Sequence, residues 1–124
     1  MSGESSPRRR IVIAGGTYVE TCQWPFWYEI FGSGLRAAAA LSGRDCDVAL
    51  YTHLSADRAP YLASISSAFD FTAITSKTTG LYEFHYRHPL ANPECVSPGL
   101  AQQAPFVVEA DMILSYGMME GCDR

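Results

Sequence analysis

"FGSGLRAAAALSG", Phe31 to Gly43, sets two glycines around a serine directly in front of four consecutive alanines. Glycine has no Cβ, so Gly32 and Gly34 allow positive φ and let other atoms come close to the main chain. Alanine is the best helix former and carries almost no side chain. The stretch therefore predicts a helix from Ser33 or Gly34 through Leu41, closed by Gly43 and able to lie flat on a sheet. A glycine turn at a helix start also aims unpaired N–H groups and the positive end of the helix dipole at one spot. Gly32, Ser33 and Gly34 are thus candidates for an oxygen-rich ligand seat, and the same tripeptide is equally a common plain turn.

The flanking segments say which sheet the helix would lie on. Before it, Arg10-Ile11-Val12-Ile13-Ala14 is a β-branched run ending in Gly15-Gly16, the pattern of a strand buried on both faces. After it, Asp47 to Thr52 reads as a second buried strand, and strand, helix, strand in that order favours a parallel sheet with flanking helices. Pro60 to Ala68 predicts a second helix with Pro60 in its first turn, followed by a short strand at Phe71 to Ile74. Ala110 to Tyr116 predicts a further buried strand, and no helix is expected in the "GMMEGCDR" that follows it. Thr17 to Phe31 is crowded with aromatics and interrupted by Pro25, so a loop or short irregular strands are expected there. Thr78 to His88 alternates with period two and predicts one strand. It places Tyr82, Phe84, Tyr86 and His88 on one face and Leu81, Glu83, His85 and Arg87 on the other.

Composition narrows the function classes. With 124 residues, 48% of them hydrophobic, the chain can bury the core of one domain. A net charge of −4 with scattered acids gives no field to attract nucleic acid or an anionic membrane surface. The basic run Arg8-Arg9-Arg10 reads as part of a disordered arm over residues 1–10. No apolar run is long enough for a signal peptide or a spanning helix, and a cytoplasmic location is expected. Cys22, Cys46, Cys95 and Cys122 show no C-x-x-C pair, so zinc is not expected and four reduced thiols are. No Gly-Lys-Ser/Thr follows the glycine turn, and Gly15-Gly16 lacks the third glycine of a dinucleotide fingerprint. His85 and His88 have no nucleophile or carboxylate at a spacing that makes a catalytic pair evident.

Taken in order, "AGGTYVE", the glycine turn with its alanine helix, "DVALYTHLSAD", the aromatic strand after Thr78-Thr79, and "ADMILSYG" resemble the N-terminal part of the PfkB, or ribokinase-like, carbohydrate kinases. The resemblance runs from about Arg10 onward. It implies an α/β fold: a partial ribokinase-like three-layer sandwich, mostly parallel sheet with flanking helices, over residues 11–124. A small β lid would come from about residues 18–31 and 78–90. It also implies a sugar or nucleoside-like ligand, with Glu20 at the position of the acidic residue that hydrogen-bonds substrate hydroxyls. Glutamate stands where the family usually has aspartate. Arg36 falls where the family has a substrate-contacting asparagine, a departure that suits an anionic or differently shaped ligand. Only the second glycine of the family's Gly-Gly pair is kept, at Gly32. Ser55-Ala56-Asp57 matches the family's Gly-x-Asp only at Asp57, a residue that otherwise reads as a cap for the next helix. Tyr82, Phe84 and Tyr86 would line the lid.

In the family, phosphoryl transfer relies on a later Gly-x-Gly-Asp turn and a nucleotide pocket. Neither occurs after Tyr116, so this chain alone is expected to transfer no phosphate and to bind no cofactor. ATP and Mg are expected only of a complete family member. A homodimer through the lid, or a complementing C-terminal half, is the implied protein partner. The alternative reading is a non-catalytic small-molecule binding or dimerisation module of the same ancestry.

Overall fold

The computed structural model describes residues 9–99 and 106–116. The chain runs β1 (Arg9–Ala14), β2 (Tyr18–Gln23), β3 (Phe26–Phe31), α1 (Ser33–Leu41), β4 (Cys46–Ser55), a 3-10 turn (Ala56–Arg58), α2 (Ala59–Phe69), β5 (Thr72–Thr78), β6 (Glu83–Tyr86), β7 (Glu94–Val96) and β8 (Met112–Ser115). These strands form two sheets. The larger has the order β5-β4-β1-β8 and is parallel throughout. The smaller has the order β3-β2-β6-β7, with β2 antiparallel to β3 and parallel to β6.

The β-branched runs of β1 and β4 do what their composition predicts. Val12, Ile13, Ala49 and Leu50 are all but inaccessible to water, as both faces of a central parallel strand should be. Ile13, Val48, Leu50 and Leu54 form one face, where Leu35 and Ala38 of α1 and Leu62 of α2 pack on them. The opposite face carries Tyr51 and His53, whose rings lie 5.5 and 4.9 Å from that of Phe106. Val19, Ile30 and Leu81 belong to the same core cluster as Ile13 and Leu50, so the small sheet is rooted in the main core.

Several expectations change in detail. Arg9 and Arg10 are not arm but the start of β1. The Arg10 amide donates to Asp111 Oδ2 at 2.8 Å and its Nε to the Glu109 carbonyl at 3.0 Å, tying β1 to the approach to β8. The rest of the expected arm, the loop around Pro105, and "GMMEGCDR" lie outside the described residues. Thr17 to Phe31 is not irregular: it is a regular hairpin whose two-residue turn holds Trp24 and Pro25, joined by a cis peptide bond. The strand expected from Thr78 to His88 shortens to Glu83–Tyr86, because β5 extends to Thr78, whose hydroxyl donates to the Gly80 carbonyl at 2.8 Å and turns the chain. Asp57 caps no helix; it lies in the 3-10 turn with its carboxylate 3.6 Å from Arg58 Nε. Among the described residues Cys22, Cys46 and Cys95 are thiols not joined in a disulfide, and Cys122 lies outside the described residues. No described helix is long and apolar enough to cross a membrane.

Candidate functional site

The glycines bring α1 to the carboxyl-terminal rim of the large sheet. Gly15 follows β1 directly, and its amide donates to the Tyr51 carbonyl on β4, while the Tyr116 amide donates to the Ala14 carbonyl. A Cβ placed on Gly15 would sit 2.6 Å from Gly34 Cα, and one on Gly34 would sit 2.8 Å from Gly15 Cα. Gly32, at φ 127°, would press a Cβ onto the Gly16 carbonyl. The two glycine pairs therefore let the strand end and the helix start touch backbone to backbone, closer than any side chain allows. Close packing alone accounts for Gly32 and Gly34. Ser33 is exposed at the mouth of the same turn, and the Arg36 amide donates to the Gly32 carbonyl at 3.0 Å to close the first helical turn.

That first turn faces the small sheet. On β2, Tyr18, Glu20 and Cys22 share one face, and the register aligns Glu20 with Phe84 on β6 and with Glu29 on β3. Glu20 is only 7% exposed. Arg36 reaches across from α1 and grips it with two parallel bonds, Nη1 to Oε2 at 2.9 Å and Nη2 to Oε1 at 2.8 Å. The guanidinium lies over the Phe31 ring, 4.7 Å from its centroid. A buried carboxylate needs such a partner, and a planar fork fits it better than an ammonium could. The bond to Glu20 holds the Arg36 pKa above its ordinary value, against an opposing effect of burial. Tyr86 lies near enough to feel both charges. Its pKa is raised, first by burial and then by Glu20, against an opposing effect of Arg36.

The aromatic residues expected in the lid fall around this pair. Tyr18 packs edge-on against Tyr82, ring centroids 6.2 Å apart, and at a tilt against Phe84 at 5.3 Å. Tyr82 is buried, and Phe84 and Tyr86 are half-buried. The structure thus brings Glu20, Arg36, Phe84 and Tyr86 together beside the turn at Gly32 to Gly34. Sequence reasoning missed the pairing of Glu20 with Arg36: the two residues stand 16 apart, and only the return of the β2–β3 hairpin brings them into reach.

The opposite face of the small sheet holds a second polar chain. Thr21 Oγ1 lies 2.6 Å from His85 Nδ1, and His85 Nε2 lies 3.0 Å from Glu83 Oε1. Thr21 and His85 are neighbours across β2 and β6, while Glu83 is two residues from His85 on the same strand. Deeper, Thr17 and Thr52 share a buried hydroxyl hydrogen bond of 2.8 Å. Among the described residues, no three His, Cys, Asp or Glu side chains are grouped so as to hold a metal ion.

No protein-family model matches the chain, and no curated protein does. Solved structures do match. Ribokinase from Cryptococcus neoformans var. grubii serotype A, in complex with ADP, superposes with a TM-score of 0.65 at 13% identity, over 89% of this chain and 41% of that one. A pyrophosphate-dependent kinase in the ribokinase family, complexed with a pyrophosphate analog and myo-inositol, gives 0.57 at 13% identity over 85% and 39%. A carbohydrate kinase from Agrobacterium tumefaciens gives 0.54 at 13% identity over 71% and 34%. This chain spans 34 to 41% of the length of those three structures. At such identity the likeness speaks for architecture, and the architecture it establishes is the ribokinase-like fold, of which this chain carries a part.

Proposed function

We propose that this chain supplies the acceptor-binding and lid portion of a ribokinase-like carbohydrate kinase, with a sugar or nucleoside-like molecule as its ligand. The observation that carries the reading is the meeting of a buried carboxylate, Glu20, with the first turn of α1 above the carboxyl-terminal rim of a parallel sheet. Ligands of open α/β sheets bind at that rim. A carboxylate there accepts two hydroxyl donors with charge-assisted strength. Tyr86 and Phe84, half-buried on the face of Glu20 with Tyr82 buried beside them, give the small sheet an aromatic surface on which a sugar ring would pack.

On this reading Glu20 and Arg36 bind the ligand, Gly32, Ser33 and Gly34 bring the helix start to it, and the small sheet covers it. The residues that transfer phosphate, and those that hold ATP and Mg, belong to the remainder of a complete fold, in a longer product or a complementing chain. The location would be cytoplasmic. Calorimetry of the chain with a panel of sugars, polyols and nucleosides, together with their carboxylate and phosphate forms, tests the binding half. Heat of binding that disappears in Glu20→Gln is expected. A panel without heat, or binding that Glu20→Gln leaves unchanged, overturns the reading.

A second reading, a dimerising module without catalysis, is favoured by the hairpin tip. Trp24 and Phe26 are 76% and 81% exposed, more than an isolated lid needs. Coding DNA beyond the last codon separates the two: a Gly-x-Gly-Asp turn there supports the kinase, and unrelated sequence supports the module.

A further inference from the structure

We infer that Arg36 sets the ligand class of this site, selecting polyols that carry an anionic group over uncharged ones. The inference rests on the reading of Glu20 as the acceptor of ligand hydroxyls. Arg36 offers Glu20 two parallel N–H donors, at 2.8 and 2.9 Å. Two neighbouring hydroxyls of a sugar would offer the same carboxylate the same pattern. The guanidinium therefore stands where a diol would stand.

An uncharged polyol has to displace this tethered, charged donor from a carboxylate that is buried, exchanging a charged partner for neutral hydroxyls, and that exchange is unfavourable. A ligand with both a diol and an anionic group avoids the loss. Its anion takes Arg36, its hydroxyls take Glu20, and both charges remain paired. The exposures fit such a swing: the Arg36 side chain is 55% exposed and that of Glu20 9%, so the arginine is the partner that solvent can reach. Of five guanidinium N–H groups two are spent on Glu20, which leaves three to engage an incoming anion before the pair opens. The Phe31 ring beneath the guanidinium supports it from the other side. Glu29, across from Glu20 on β3, opposes an anion, but it is exposed and screened by water.

Calorimetry on the full chain tests the inference with two matched sets: D-glucose, D-gluconate and D-glucose 6-phosphate, and D-ribose, D-ribonate and D-ribose 5-phosphate. In at least one set an anionic member is expected to bind at least about tenfold tighter than its uncharged parent, and the carboxylate and phosphate arms show which anion is preferred. Arg36→Asn should reduce that ratio to about threefold or less, with Arg36→Lys between the two. Thermal unfolding of each variant confirms that it folds, and the ratio in the unaltered chain is a test in itself. An uncharged parent that binds as tightly as its anions, and is lost in Glu20→Gln, overturns the inference and leaves the acceptor reading standing. Absence of binding by every member to all forms overturns both.

Discussion

At the scale of single residues, Gly34 shows how two backbone effects compete. It lies inside α1, where alanine is the better helix former by about 1 kcal/mol. On propensity alone Gly34→Ala stabilises. Its new Cβ, however, would sit 2.8 Å from Gly15 Cα, against backbone that has nowhere to move. Overpacking of that kind costs about 1–3 kcal/mol, so contact outweighs propensity and the substitution should destabilise. Gly43 provides the control. It has φ 76° and no atom near its absent Cβ, so Gly43→Ala costs only the left-handed strain of about 1–2 kcal/mol. Urea unfolding measures both. Helix separation should also weaken ligand binding in Gly34→Ala and leave it intact in Gly43→Ala; a stabilised Gly34→Ala would show that the strand end and helix start do not touch as described.

At the scale of elements, legibility in the sequence followed how regular each apolar pattern was, as an unbroken run or as a clear period. The strands β1 and β4 were readable because both faces are buried and the runs are β-branched. The helices α1 and α2 were readable from alanine content and from Pro60. The hairpin of β2 and β3 was not, because the aromatics of Tyr18 to Phe31 are spread over both faces, which erases the period of two. Pro25 looked like an interruption of structure and is the turn between the strands. The three-residue β7 consists of exposed residues between Pro93 and Pro98 and has no apolar pattern to find. Glu20 and Arg36 were each singled out by resemblance, but their mutual bond depends on the register of the hairpin, which no local pattern encodes.

The same element, β4, carries a pH dependence. His53 is fully buried beside Phe106, and burial pushes its pKa below the ordinary histidine value, outweighing a hydrogen bond involving the Ser76 backbone. The folded state therefore holds the neutral ring. In the unfolded chain the ring takes up a proton below about pH 6.5, so the unfolded state binds more protons there and stability falls as pH drops. Above about pH 6.5 both states are neutral at this position and its contribution is flat. The loss approaches, at most, about 1.4 kcal/mol per pH unit. Denaturant unfolding between about pH 7.5 and 5 should show that slope in the unaltered chain and a shallower one in His53→Gln. Equal slopes would mean that protonated His53 is tolerated in the fold.

At the scale of the molecule, the large sheet ends on one side in β8, and there burial fails. Met112 and Ile113 are about half exposed although they pair with the two most central residues of β1, Ile11 and Val12. A strand so placed normally has a neighbour, because its outer edge carries unpaired N–H and C=O groups and its side chains need cover on both faces. Among the described residues no strand pairs that outer edge, and of this segment only Leu114 and Tyr116 pack against the core. The neighbouring kinases are more than twice as long as this chain, and on the proposed reading their additional residues provide that cover. The isolated chain should then find a substitute in its own copies. Two surfaces compete for the role: the β8 edge, and the hairpin tip with Trp24 and Phe26. Size-exclusion chromatography coupled to light scattering distinguishes them. Oligomers that Ile113→Lys converts to monomer, and that Phe26→Lys leaves intact, place the association at β8 and mark it as the seam to which the rest of a kinase fold attaches. The reverse pattern assigns association to the small sheet and supports the dimerising module. A monomer that stays soluble and unfolds cooperatively without either substitution would show that β8 needs no partner, and would remove the reason for expecting a complementing half.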